Sequence, residues 1–184
     1  LQDLPPETDV VIDLRGNPGG RLAEADAVLS CFLPLDRPWA ARTGRSGRRM
    51  ELRTAGGCGT LEVPVANDVA VLVDGNSRSA AELTPAALQE ARRAVVVGAP
   101  TAGAVLISQE PRLPDGGRLS LSRADFVTSG GVRLEKRGVT PDVAAPVTPE
   151  DRLAGRDPGL DAALAALAER GSQPAMALQA APAL

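Results

Sequence analysis

Residues 69–98, VAVLVDGNSRSAAELTPAALQEARRAVVVG, decide the fold. An apolar, β-branched run at 69–74 meets turn chemistry in GNSRS (75–79), a helix-compatible stretch covers 80–92, and a second β-branched run, AVVVG, closes the segment at 94–98. Strand, helix and strand in this order predict a parallel layer with helices packed on it, because a parallel pair needs a long crossover. The same unit begins upstream. DVVIDL (9–14) reads as a buried strand and RGNPGG (15–20) as its turn, while RLAEADAVLSCFL (21–33) places Leu22, Ala25, Val28, Leu29 and Phe32 on one helical face, stopped by Pro34.

Further out the pattern changes. Residues 38–60 hold several glycines and read as an irregular loop with one strand at 48–54. Beyond Gly103 the periodicity becomes two, in VLISQEPRL (105–113) and GRLSLSRADFVT (117–128), with PDGG between them as a hairpin turn. GVRLE (131–135) and RGVTPDV (137–143) suggest a further small strand and a closing turn, and 159–169 an amphipathic helix. The expected organisation is a core over 1–150, a short helical extension over 151–170, and a disordered Ala/Pro/Gln tail over 171–184.

Composition narrows the chemistry. At 184 residues, 43% hydrophobic but only 2% aromatic, the chain fits one domain whose core is Val, Leu, Ile and Ala. It has no histidine, and Lys136 is the only lysine among 20 basic residues. Arginine stays protonated and cannot serve as a base. A histidine triad, a histidine-ligated metal and a multi-lysine mechanism are excluded for these residues acting alone, and no cofactor or metal is implied. The net charge of −3 argues against a nucleic-acid surface, and the local run Arg42, Arg45, Arg48 and Arg49 reads as a solvated loop. No run of 18 apolar residues exists, so no membrane span is expected. Cys31 and Cys58 lack metal-ligand spacing, which leaves two buried thiols or one disulfide, the thiols being favoured. The start at Leu1, without a signal-like opening, reads as part of a longer protein.

Two turns carry chemical potential. Ser79 stands between a buried strand and a helix start, where backbone amides and the helix dipole favour a developing anion. Against that, Ser79-Ala80-Ala81-Glu82 also spells a capping box, in which the hydroxyl merely satisfies a backbone amide. Thr84-Pro85 bears on the choice, since a helix starting at Thr84 would leave Ser79 in a tight turn with its hydroxyl free. The second turn, Gly16-Asn17-Pro18-Gly19-Gly20, offers adjacent amides and lacks the phosphate-loop pattern. Both lie at carboxyl ends of parallel strands and so face one crevice. Glu90, Asp115, Asp125 and Glu135 are carboxylates whose plainer reading is an exposed or turn residue.

At these residues the chain resembles the C-terminal processing, or tail-specific, serine peptidases. The resemblance runs through VVIDLRGNPGG (10–20), VLVDGNSRSAAEL (71–83), ALQEARRAVVVGAPTAG (87–103), LPDGGRLSLSRADFVTSGG (113–131) and LEKRGVTPDV (134–143). It implies a ClpP- and crotonase-like α/β core with a β-hairpin region, and serine-type hydrolysis of polypeptides near C-termini or in unfolded segments. It implies Ser79 as nucleophile, with an oxyanion hole from Gly19 or Gly20 and from Ala80. The branch's catalytic lysine falls on Ala104, and its associated glutamine or acid lies near Gln89 or Glu90. A tricorn-like branch instead pairs an upstream histidine with a late acid, which Glu135 resembles. Ala104 therefore leaves three readings: a base supplied upstream, an engineered Lys-to-Ala change, or a natural pseudopeptidase that binds peptides. The resemblance also implies an extracytoplasmic location, or a cytoplasmic one for a tricorn-like enzyme; oligomeric state stays unassigned.

Overall fold

The computed structural model describes residues 1, 4–5, 8–59 and 64–171. Its strands and helices run, in order, β1 (Val10–Asp13), α1 (Leu22–Phe32), β2 (Pro38–Gly44), β3 (Arg49–Arg53), β4 (Val69–Val73), α2 (Ala80–Glu90), β5 (Ala94–Gly98), β6 (Ile107–Gln109), β7 (Leu121–Thr128), β8 (Val143–Ala144), α3 (Pro149–Leu153) and α4 (Pro158–Gly171). One sheet has the order β1-β4-β5-β8 and every pairing in it is parallel. The other has the order β3-β2-β7-β6 and every pairing in it is antiparallel. The α/β class is as the sequence predicts, and the tail expected over 171–184 lies outside the described residues from 172 onward.

The parallel sheet is covered on both faces, which is why β4 reads as an unbroken apolar run and is buried throughout. Val69, Val71 and Val73 join Leu29, Phe32, Leu83 and Leu88 on one side. The alternate residues Ala70 and Leu72, with Val97 of β5, meet Ala163 and Leu167 of α4 on the other. Helix α2 also touches β2 and β7, so that Trp39, Ala40 and Phe126 close the same core from the second sheet. The layers run α4, parallel sheet, α1 with α2, antiparallel sheet.

Two expectations change. The stretch 38–60 is not one loop with a single strand: PWAARTG forms β2, paired with both β3 and β7. Its string lacks β-branched residues at most positions, and strand state comes from two-sided pairing and from burial of Trp39, Ala40 and Ala41. Of the arginine run, Arg45, Arg48 and Arg49 stay exposed and Arg42 is half-buried, and the run rides on this hairpin rather than on a loop. The favoured thiols are also corrected, because Cys31 and Cys58 form a disulfide with Cα atoms 4.5 Å apart.

Candidate active site

Helix α2 begins at Ala80 rather than at Thr84, and Pro85 is carried inside it, with Thr84 Oγ1 donating to the Ala80 carbonyl at 2.9 Å. Ser79 precedes the helix with φ 56° and ψ −121°, a left-handed conformation that a serine adopts at a cost of about 1–3 kcal/mol. Only half of the capping box forms. Glu82 accepts the Ser79 amide at 3.1 Å, whereas the Ser79 hydroxyl makes no capping bond and is partnered by no described residue.

The strain is imposed from three sides. The Ser79 amide is shared with the Ala104 carbonyl at 3.0 Å, and the Arg78 amide donates to the Asn17 carbonyl at 3.0 Å. Gly19 lies against the Ser79 turn so closely that a Cβ there would fall 2.7 Å from both Arg78 O and Ser79 Cβ. Behind the turn, fully buried Ser77 donates to the Leu14 carbonyl at 2.8 Å, and Asp74 Oδ1 accepts the amides of Gly16 and Asn76, each at 2.9 Å. Burial pushes the Asp74 carboxyl up, but these amide hydrogen bonds outweigh it and hold it below the usual range. Asp74 and Gly75 also border a cavity of about 500 Å³ on the α4 side of the sheet, lined in addition by Arg15, Gly98 and Asp157.

Glu82 does more than the sequence signals. Its side chain is fully buried and takes four donors: Thr101 Oγ1 at 2.6 Å, Gly103 N at 2.7 Å, Ala104 N at 2.8 Å and Ser79 N at 3.1 Å. One carboxylate thus fixes the Ser79 turn against the TAGA segment. The S-x-x-E spacing points to the last of these bonds, and the other three are invisible without the fold.

The two proposed oxyanion turns do meet, with unequal amides. Gly19 N donates to Asn17 Oδ1 at 2.8 Å, while the amides of Gly20 and Ala80 have no acceptor among the described residues. Ala104 lies directly beside Ser79 through their backbone bond. The LEKRG segment packs on the other side of the same turn: Lys136 N donates to the Gly103 carbonyl at 2.7 Å and Glu135 accepts the Val105 amide at 3.0 Å. The Lys136 side chain is exposed. Gln89 and Glu90 stand at the other end of α2, about 15 Å from Ser79 at the helical rise. There Gln89 bonds Thr140 and Asp142, and Glu90 accepts from Thr128, Ser129 and Gly130. Asp115 sits at the exposed hairpin tip and Asp125 pairs with Arg133.

A serine held in a strained strand-to-helix turn, with vacant amides on either side of it, is an arrangement of the serine-hydrolase type. The comparisons agree: the model described as Peptidase family S41 matches residues 5–145, and the chain belongs to that family. It is 33% identical over 135 residues to the carboxy-terminal processing protease CtpB of Bacillus subtilis, which covers 73% of this chain and 27% of that protein. It is 32% identical over 147 residues to the carboxy-terminal-processing protease of Bartonella bacilliformis, covering 80% and 33%. The chain therefore spans a third or less of these two relatives. Among solved structures, the photosystem II D1 C-terminal processing protease superposes with TM-score 0.60 at 27% identity over 74% of this chain and 34% of that one. The tricorn protease, at TM-score 0.66 and 23% identity over 88% and 15%, shares the fold. Among the described residues no helix is long and apolar enough to cross a membrane.

Proposed function

We propose that this chain carries the nucleophile and oxyanion turns of a serine endopeptidase that cleaves polypeptides near their C-termini or in unfolded segments. The observation that carries the reading is Ser79 itself, strained at φ 56°, unbonded at its hydroxyl and seated at the N-terminus of α2. Ser79 Oγ attacks the scissile carbonyl as a base takes its proton. The oxyanion settles between the amides of Gly20 and Ala80, in preference to Gly19, whose amide is spent on Asn17. The base returns the proton to the leaving amine, and water then hydrolyses the acyl-enzyme.

The base comes from outside the described residues in this reading. Ala104 puts a methyl where the processing branch places a lysine, and Glu135, bonded to the next amide, takes the part of the late acid that orients an incoming base. The disulfide supports an oxidising, extracytoplasmic place of action, periplasmic or secreted, over a cytoplasmic one. The test is fluorophosphonate labelling of the full protein and of Ser79→Ala. Labelling that disappears in the variant is expected; no labelling, or equal labelling of both, removes the peptidase reading.

The second reading, a peptide-binding pseudopeptidase, is favoured by Ala104 alone. Ala104→Lys separates the two. A base supplied elsewhere predicts no gain in labelling rate, whereas a site lacking only its lysine gains about 10²-fold.

A further inference from the structure

The antiparallel sheet ends in two projecting hairpins on the same side. The β2–β3 turn lies at the end where Gly44 pairs with Ala124, and the longer β6–β7 connection leaves from Gln109, paired with Leu121, to a bridge between Arg112 and Arg118. Segments 42–49 and 109–124 together hold seven arginines and two carboxylates, in a chain whose net charge is −3. Six of the seven, Arg42, Arg45, Arg48, Arg49, Arg112 and Arg123, have no carboxylate partner among the described residues. Alternation puts Arg42 on the face of Met50 and Phe126, and Arg49 and Arg123 on the opposite face, with Arg45 and Arg48 in the turn between. The cationic end is therefore presented all round.

This end is continuous with the site. Ala104, whose carbonyl holds the Ser79 amide, leads through Val105 into β6, an edge strand whose outer side is unpaired in the sheet. A polypeptide that crosses Ser79 in extended form and follows that edge reaches Arg112 after about eight residues. We propose that the two hairpins select substrates carrying an acidic stretch displaced from the scissile bond, an inference that rests on the peptidase reading for its catalytic meaning. A polypeptide fits better than an anionic membrane. The hairpin apex, PDGG, carries Asp115 and is flanked by Glu110, and neither projecting segment, 42–49 nor 109–124, has an aromatic residue to seat at a lipid interface, Trp39 and Phe126 of the same strands being buried in the core. Of the six arginines without a carboxylate partner, Arg42, Arg49 and Arg123 lie on strands, Arg45 and Arg48 in the β2–β3 turn, and Arg112 at the Arg112–Arg118 bridge below the apex.

The test uses the full protein carrying Ser79→Ala, so that nothing turns over, and two fluorescein-labelled peptides identical except for a run of glutamates or of glutamines. About tenfold tighter binding of the glutamate peptide is expected, weakening as salt rises. Arg45→Gln with Arg48→Gln removes most of that preference. Arg45→Glu with Arg48→Glu shifts preference toward a lysine-containing version, which a misfolded protein would not do. Equal affinity for the glutamate and glutamine peptides, no change in either double variant, or tighter binding to phosphatidylserine vesicles or single-stranded RNA than to the glutamate peptide overturns the proposal. Fluorophosphonate labelling of the unmodified protein reads the peptidase assignment separately. An acid-selective surface without labelling would leave the hairpins as a binding site and sink only the catalytic role.

Discussion

Ser79 keeps its unfavourable backbone because its neighbours leave no alternative, and each of those neighbours is a testable position. Gly19 has φ 94°, and an added Cβ would meet Ser79 Cβ and Arg78 O at 2.7 Å, so Gly19→Ala must push the two turns apart. The expected outcome is loss of fluorophosphonate labelling together with a stability loss of about 1–3 kcal/mol in urea unfolding. Glu82→Gln separates anchoring from shape. The amide is isosteric but replaces one acceptor oxygen by a donor facing the amides of its partners, so at least one buried donor loses its acceptor. Destabilisation of about 2–4 kcal/mol is expected by the same measurement. Glu82→Gln leaves Ser79 Oγ untouched, so a variant of unchanged stability would show that the carboxylate is not the anchor of the TAGA turn.

At the scale of elements, legibility followed the range of the forces. The strands at 10–13, 69–73 and 94–98 and the helices at 22–32, 80–90 and 158–171 declare themselves because burial on one or both faces writes a period into consecutive residues. The turns at 15–20 and 75–79 were legible for a related reason, as turn chemistry at strand ends. PWAARTG was not, since its strand state depends on pairing with β3 on one side and, far off in sequence, with residues 124–128 of β7 on the other. Nor were three of the four donors to Glu82, or whether Cys31 and Cys58 are bonded. The disulfide joins the last turn of α1 to a segment with little regular structure, and its closed loop spans a separation of 27 residues. A loop of that length is worth about 3.5 kcal/mol by chain entropy. Cys31→Ser with Cys58→Ser should lower the urea midpoint by a corresponding amount, and reductant should do the same to the unmodified protein but not to the double variant. Equal midpoints with and without reductant would show that the loop is already held by Trp39 Nε1 and the Ala55 amide, which donate to Asp26 at 2.9 and 3.3 Å.

Across the whole molecule, the outer helix α4 and the RGNPGG turn are tied through one residue. Arg15, first in the RGNPGG turn, donates to both oxygens of Asp157 at 2.7 and 2.9 Å and also grips Asp13, so the chain just before α4 sets where that turn begins. The Arg15 guanidinium, helped by the Leu160 amide, holds the Asp157 carboxyl down at about 2, and the same guanidinium holds Asp13 below its usual range. A carboxyl depressed in the folded state binds fewer protons there than in the unfolded chain. Its stabilisation is therefore present in full above the ordinary carboxylate range and drains away as pH falls from about 4 toward 2. Because Asp157 is 37% exposed, solvent screening limits its share to under about 1 kcal/mol. Asp157→Asn should lower stability at pH 7 by no more than that and flatten the acid limb, so that the urea midpoints of the variant and the parent draw together below pH 4 and converge only as pH approaches 2. An acid limb of unchanged steepness would place the acid sensitivity elsewhere, with Asp74 and its amide partners the next group to test.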